Sequence, residues 1–312
     1  MSIHHSTVLK LPTLNRLSGL VRIATCLLSL LAYTSLASAP SSGVCKHYRL
    51  THPVIDIRHF QDVDRYFLEM LHLAMEKSGD SFVIIPEKQI TLFNEKRSEI
   101  HLQLNHYNVH WLNTSQEREA NLIPIRIPLF KGLIGWRLMF IRRDDQALFS
   151  EVNTALALRS YTAGQGHDWP DNNILQSNEL PLITSSNWES LFKMLSKKRI
   201  DYFPRSVVEI WRENDGLTDK SLTIDKHLAL HYPAAYYFFV NKQHPNLAKA
   251  IERGLNSAIK DGSFDELFSR YFDPLIAQAA LNTRTIIHLH NPHIAVPNRP
   301  ELWYQPAFIA RH

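Results

Sequence analysis

With two cysteines among 312 residues, the chain has no means of building a disulfide framework. Cys26 lies inside an apolar run, and Cys45 has no local catalytic signature around it. Neither has the surroundings of a lipid-attachment site. No G-x-S-x-G, no H-E-x-x-H and no P-loop occurs, so the short motifs of α/β-hydrolases, zinc proteases and P-loop NTPases are missing. The 16 prolines and 10 glycines are scattered, with neither a repeat nor a low-complexity tract. After the first apolar run, no second one is long enough to cross a bilayer.

That first run belongs to a leader. Residues 1–22 carry Lys10, Arg16 and Arg22 and no acid, Ile23 to Leu36 are largely apolar, and Ala37-Ser38-Ala39 follows. A basic segment, an apolar segment and A-x-A describe a secretory signal peptide over residues 1–39. Cleavage there leaves about 273 residues with one cysteine and places the protein in the periplasm. The leader holds three of the four excess positive charges, so the mature chain is close to neutral. That weakens any nucleic-acid or polybasic-membrane reading.

Strand and helix patterns alternate through the rest, which predicts an α/β fold with mainly parallel pairing. His47–Thr51 reads as a strand. Residues 61–78 read as a helix with Phe67, Met70, Leu71 and Ala74 on one face and Gly79 at its end. Phe82–Ile85 and Asn108–Leu112 are strand-like, with a helix around 92–105 between them. Three capping boxes are predicted to open helices: Thr114 to Glu117, Ser186 to Glu189 and Ser263 to Glu266. Leu133–Ile141 reads as a strand and Gln146–Leu158 as a helix. Ser160–Ala163 is a short strand leading into the turn Gly164-Gln165-Gly166, with Asp168 capping the next helix and Pro170 in its first turn. Ile200–Phe203, Ala235–Val240 and Thr285–Leu289 complete the strands. A helix is expected from Asn246 to Ile259, with the turn Asp261-Gly262 after it.

In this order the chain resembles the periplasmic solute-binding proteins of family 3, within the type 2 periplasmic-binding-protein superfamily. The resemblance runs from about residue 46 to 272. It rests on Thr114–Arg118 with Pro124 to Gly132, on Gly164-Gln165-Gly166, on Leu191 to Asp201, and on Asp261-Gly262-Ser263-Phe264. Arg199-Ile200-Asp201-Tyr202-Phe203-Pro204-Arg205, Gly166-His167-Asp168-Trp169-Pro170 and Tyr237-Phe238-Phe239-Val240 resemble an uncharacterised Gram-negative branch. The resemblance implies two α/β lobes joined by two crossing strands, with a ligand cleft between them that closes by a hinge. The expected division is residues 40–142 and 231–312 for lobe one with its tail, and 143–230 for lobe two. The crossings fall near Arg142–Asp145 and Leu230–Pro233.

What the resemblance implies is a binding protein rather than an enzyme. It would capture a small anionic or zwitterionic solute for a membrane permease or sensor, as a monomer, without cofactor, metal or nucleic acid. Arg118 stands where family members place an arginine that pairs with a ligand carboxylate, and a guanidinium forks well onto such a group. Thr114 is a hydroxyl donor whose simpler role is a helix cap. Gly164, Gln165 and Gly166 would offer N–H groups to an anion. Arg205 stands where amino-acid-binding members usually carry an acid, and it either meets a second acid group on the ligand or pairs with Glu209. Trp169, Tyr202 and Trp111 are aromatic candidates for the cleft wall, as are Trp136 and Phe203, with core burial the alternative for each. His288, His290 and His293 are the tightest histidine cluster, but Pro292 interrupts them and metal binding is not expected. A dehydratase-like enzyme on the same scaffold, or a degenerate member acting through protein contacts, are the other readings.

Overall fold

A computed structural model describes residues 45–54, 61–88, 95–292 and 299–306. The expected leader, residues 1–39, lies outside the described residues, as does His293. The strands are β1 (His47–Val54), β2 (Ser81–Lys88), β3 (Val109–Asn113), β4 (Ile123–Ile125), β5 (Trp136–Arg142), β6 (Ala163–Gly166), β7 (Leu182–Ser185), β8 (Phe203–Ser206), β9 (Leu222–Ile224), β10 (Leu228–His231), β11 (Tyr236–Val240) and β12 (Thr285–His288). The helices are α1 (Gln61–Ser78), α2 (Glu95–Gln103), α3 (Gln116–Asn121), α4 (Gln146–Ser150), α5 (Ala155–Leu158), α6 (Asp171–Ser177), α7 (Glu189–Ser196), α8 (Ile210–Asp215), α9 (Pro245–Asp261) and α10 (Ser263–Ala279).

The sheets fall into two groups. In one, β1 and β2 pair in parallel, and β11 runs antiparallel between β3 and β4. In the other, the strand order is β12-β10-β5-β8, with β9 also on β5, and β6 pairs with β7. An isolated bridge from Ala163 to Tyr202 joins that last pair to the chain entering β8. Pairing is thus more antiparallel than expected: β5 and β11 are antiparallel to all their neighbours. Periodicity locates a strand but says nothing about its direction, so alternation with helices misled here.

Packing explains the long helices. The α1 face of Phe67, Met70, Leu71 and Ala74 is fully buried. It meets α9, which buries Leu247, Ala250, Ile251, Gly254, Leu255 and Ala258. Pro245 opens α9 where an N–H is not needed, and Gly262 closes it at φ +86. At Gly254 the two helices come so close that a Cβ would overlap the carbonyl of Ala74. β11 is buried along Tyr237–Val240, as its unbroken aromatic and β-branched run requires.

Several local expectations are corrected. Thr114 is not the cap of α3; Ser115 is, its side chain accepting from the Arg118 N–H. Asn187, not Ser186, accepts from the N–H of Ser190 at the start of α7. Gly262 precedes α10, and Ser263 instead donates its hydroxyl to Asp261. Runs of Ser, Thr and Asn offer two neighbouring caps, and the box pattern cannot choose between them. The stretch 146–158 breaks into α4 and α5 around Val152 to Thr154, where Thr154 caps the second piece. Gly164, Gln165 and Gly166 are strand β6 itself, buried, and not a turn. Asp168 does not cap α6, which begins after Pro170. Ile200–Tyr202 only lead into β8.

Candidate functional site

Arg118 sits in the first turn of α3, just past β3, and is buried. Its Nε donates to Glu99 at 3.3 Å and its Nη1 to the carbonyl of Asn113. Its Nη2 lies 3.6 Å from Glu95. Glu95 opens α2, forms that ion pair and accepts from the N–H of Asn113 at 3.3 Å and the hydroxyl of Tyr236 at 3.2 Å. Burial, then the charges of Glu95 and Glu209, hold the Tyr236 hydroxyl well above its usual pKa. Thr114 is buried and donates to Glu119 at 2.6 Å.

An aromatic wall stands beside this group. Phe67 stacks on both Trp111 (5.4 Å) and Tyr236 (5.7 Å). Trp111 is itself buried and donates its indole N–H to Asp64 at 3.1 Å. Asp64 is half-buried on α1, and loss of water around it pushes its carboxyl up to about 7, against the pull of the indole hydrogen bond.

The second group is built on β5, β8, α6 and α8. Arg205 forks onto Glu213, with Nη2 to Oε1 at 2.5 Å and Nε to Oε2 at 2.8 Å, and its Nη2 lies 3.3 Å from Glu209. Its guanidinium also lies over the ring of Trp169 at 4.5 Å. Arg137 joins Asp171 at 2.5 Å and Glu209 at 3.5 Å, and Tyr232 donates to Asp171. Burial works against the Arg205 charge, but Glu209 and Glu213 outweigh it and hold the group protonated. Glu209 is raised by burial, with Arg205 and Arg137 opposing.

The remaining candidates are dispersed. Tyr202 and Phe203 are both buried. The Tyr202 hydroxyl and both ends of the Gln165 amide lack hydrogen-bond partners among the described residues. A Cβ on Gly164 would meet Ile200, and one on Gly166 would meet Trp169, so each glycine leaves room for a neighbouring side chain. Trp169 stacks on Phe203 and Trp136 on His231. His231 and His288 approach at 3.1 Å. Among the described residues no set of three His, Cys, Asp or Glu side chains could hold a metal ion.

Sequence reasoning missed Glu95, Glu99, Arg137, Asp171, Glu213 and Tyr236. Two signals were present. Arg137 is a charge inside an otherwise apolar strand, which demands a partner. Glu209 and Glu213 are one helical turn apart, so they share a face that both can turn to Arg205. Glu95 had no such signal, because its partners come from distant elements.

No protein-family model and no curated protein matches the chain. Solved structures do. The second Venus-flytrap domain of Bordetella pertussis BvgS, in a double-mutant form, matches with a TM-score of 0.52 at 16% identity, over 72% of this chain and 93% of that one. An ancestral arginine-binding protein bound to glutamine gives 0.51 at 14%, over 72% and 97%. An ancestral amino acid-binding protein described as a precursor of cyclohexadienyl dehydratase gives 0.50 at 12%, over 72% and 95%. The fold of this chain is that of the two-lobed, Venus-flytrap periplasmic binding proteins.

Proposed function

We propose that the protein is an extracytoplasmic solute-binding protein that captures a small polar solute between its lobes and catalyses nothing. The observation that carries this is a set of largely buried charged groups on each sheet group, Glu95, Glu99 and Arg118 on one and Arg137, Asp171, Arg205, Glu209 and Glu213 on the other. A ligand touching both groups would stabilise the closed form, as hinge closure requires. Ancestral binding proteins of this fold hold arginine or glutamine, which supports an amino-acid-sized ligand. Arg118 and Arg205 are both engaged by carboxylates. A purely anionic ligand would therefore displace Glu95 or Glu213 without gaining charge, and a zwitterion or cation fits better. Delivery to a membrane permease or presentation to a membrane sensor, by a monomer, is the output we favour.

We also propose a different division of the lobes. Because β5 pairs with β8, β9 and β10, we place the first crossing at residues 126–135 rather than at Arg142–Asp145, and the second at 232–235. The late strand β12 then returns to the second lobe's sheet, where it pairs with β10.

The test is mass spectrometry of whatever co-purifies with native protein, followed by thermal denaturation with that compound. At a hundredfold excess over Kd the melting temperature should rise by roughly 5 °C. If nothing co-purifies and no amino acid, amine or organic acid shifts the transition, the reading fails. A second reading, an enzyme on the same scaffold, is favoured by Asp64, whose carboxyl holds a proton up to about pH 7. Incubating the recovered ligand with the protein separates the two, since a binding protein returns it with unchanged mass.

A further inference from the structure

Glu95 is bound as a ligand carboxylate would be. One oxygen takes the Asn113 N–H at 3.3 Å and the Tyr236 hydroxyl at 3.2 Å. The other faces Arg118 Nη2 at 3.6 Å. A backbone N–H, a hydroxyl and a guanidinium from three separate elements form an anion site, and a side chain of this chain already fills it. The rest of Arg118 is committed to Glu99 and to the carbonyl of Asn113.

Exposure points the same way. The three guanidiniums are closed off, with side chains of Arg118, Arg137 and Arg205 only 6%, 3% and 4% accessible. Two acids are more open, Glu95 at 23% and Glu209 at 12%, while Glu99, Asp171 and Glu213 are as closed as the arginines. A solute entering here meets carboxylates before it meets a base. In the second group, Asp171, Glu209 and Glu213 outnumber Arg137 and Arg205. Tyr236, half-buried beside Glu95, adds a π-face, which attracts cations.

We propose that Glu95 fills the anion subsite of the cleft from within, so that the cleft takes a small organic cation carrying no carboxylate, an alkylammonium or alkylguanidinium. This rests on the solute-binding reading and names its ligand class. A ligand carboxylate would have to expel Glu95, exchanging one anion for another, or sit beside it and be repelled. A cationic end gains Glu95 and forfeits no existing ion pair.

Agmatine and L-arginine make the test, because they share a guanidinium and differ by a carboxylate. Isothermal titration of the full chain should show agmatine binding about tenfold or more tighter than arginine. Glu95→Ala should vacate the subsite, strengthening arginine by about tenfold and weakening agmatine. Glu95→Gln keeps the hydrogen bonds from Asn113 and Tyr236 and removes only the charge. It should weaken agmatine while leaving the melting temperature of the free protein within a few degrees, which separates a binding role from a folding one. Arginine or glutamate binding the unaltered chain as tightly as agmatine overturns the proposal and leaves the solute-binding reading standing. Failure of agmatine, putrescine, arginine and glutamate alike overturns the cation proposal. The solute-binding reading falls with it only if nothing co-purifies and the wider panel is also silent.

Discussion

Arg205 shows how a residue legible in sequence can still mislead about its role. Its place after Tyr202 and Phe203 was readable from the motif, and so was a pairing with Glu209 four residues on. The structure adds Glu213 as the closer partner, at 2.5 Å with both side chains nearly inaccessible. Burial makes the pair conditional: each charge is tolerable only while the other is present. Arg205→Met should therefore cost about 3–5 kcal/mol, because it leaves Glu213 buried and unpaired. Arg205→Met combined with Glu213→Leu should recover much of that loss, since well-packed apolar groups can replace a buried pair. Urea denaturation of the single and double variants checks this. A single variant that loses under about 1 kcal/mol would show that Arg205 is solvated and free for ligand. The same logic hid Glu95, since its partnership with Arg118, Asn113 and Tyr236 leaves no trace at any fixed spacing along the chain.

Elements were read better than their ends. The full span of α1 and the strand at β11 were visible from period and composition, because their buried faces are long and unbroken. The caps went astray by about one residue where two hydroxyl or amide side chains compete. The direction of β5 was invisible, because pairing is decided by distant partners. Contact between α1 and α9 was likewise beyond the sequence, although the glycine that permits it was in plain view. Gly254 faces the carbonyl of Ala74, and any Cβ there would overlap it. Gly254→Ala should raise helix propensity by about 1 kcal/mol in isolation, yet the clash must push the helices apart. We expect a net loss of about 2 kcal/mol or more, read from the midpoint of chemical denaturation. A neutral or stabilising substitution would mean that the helices stand further apart than described.

At the scale of the whole molecule, buried titratable groups make stability depend on pH, and their signs differ. His110 and His231 are lowered by burial, to about 3 and about 4, and His52 is shifted the same way. Below pH 6.5 the unfolded chain takes up protons on the His110 and His231 rings and the native chain does not. Stability is therefore lost as pH falls from 6.5 toward 4. Asp64 works in the opposite sense. Its native pKa, raised to about 7, lets the folded chain hold a proton that the unfolded chain has released above its ordinary value of 3.8, so this group alone favours the folded state as pH falls from 7 to 4. His110 and His231 against Asp64 leave about one proton on the side of the unfolded state. These three groups together contribute a slope of about 1.4 kcal/mol per pH unit between pH 6 and 5. Asp64→Asn removes the opposing proton, so its slope should steepen by about 1.4 kcal/mol per unit, while His110→Gln should flatten it by as much. Denaturation midpoints measured at half-unit steps resolve these differences. If Asp64→Asn leaves the slope unchanged, Asp64 titrates as an exposed acid, and the proton-holding group on which the enzyme reading leans is gone.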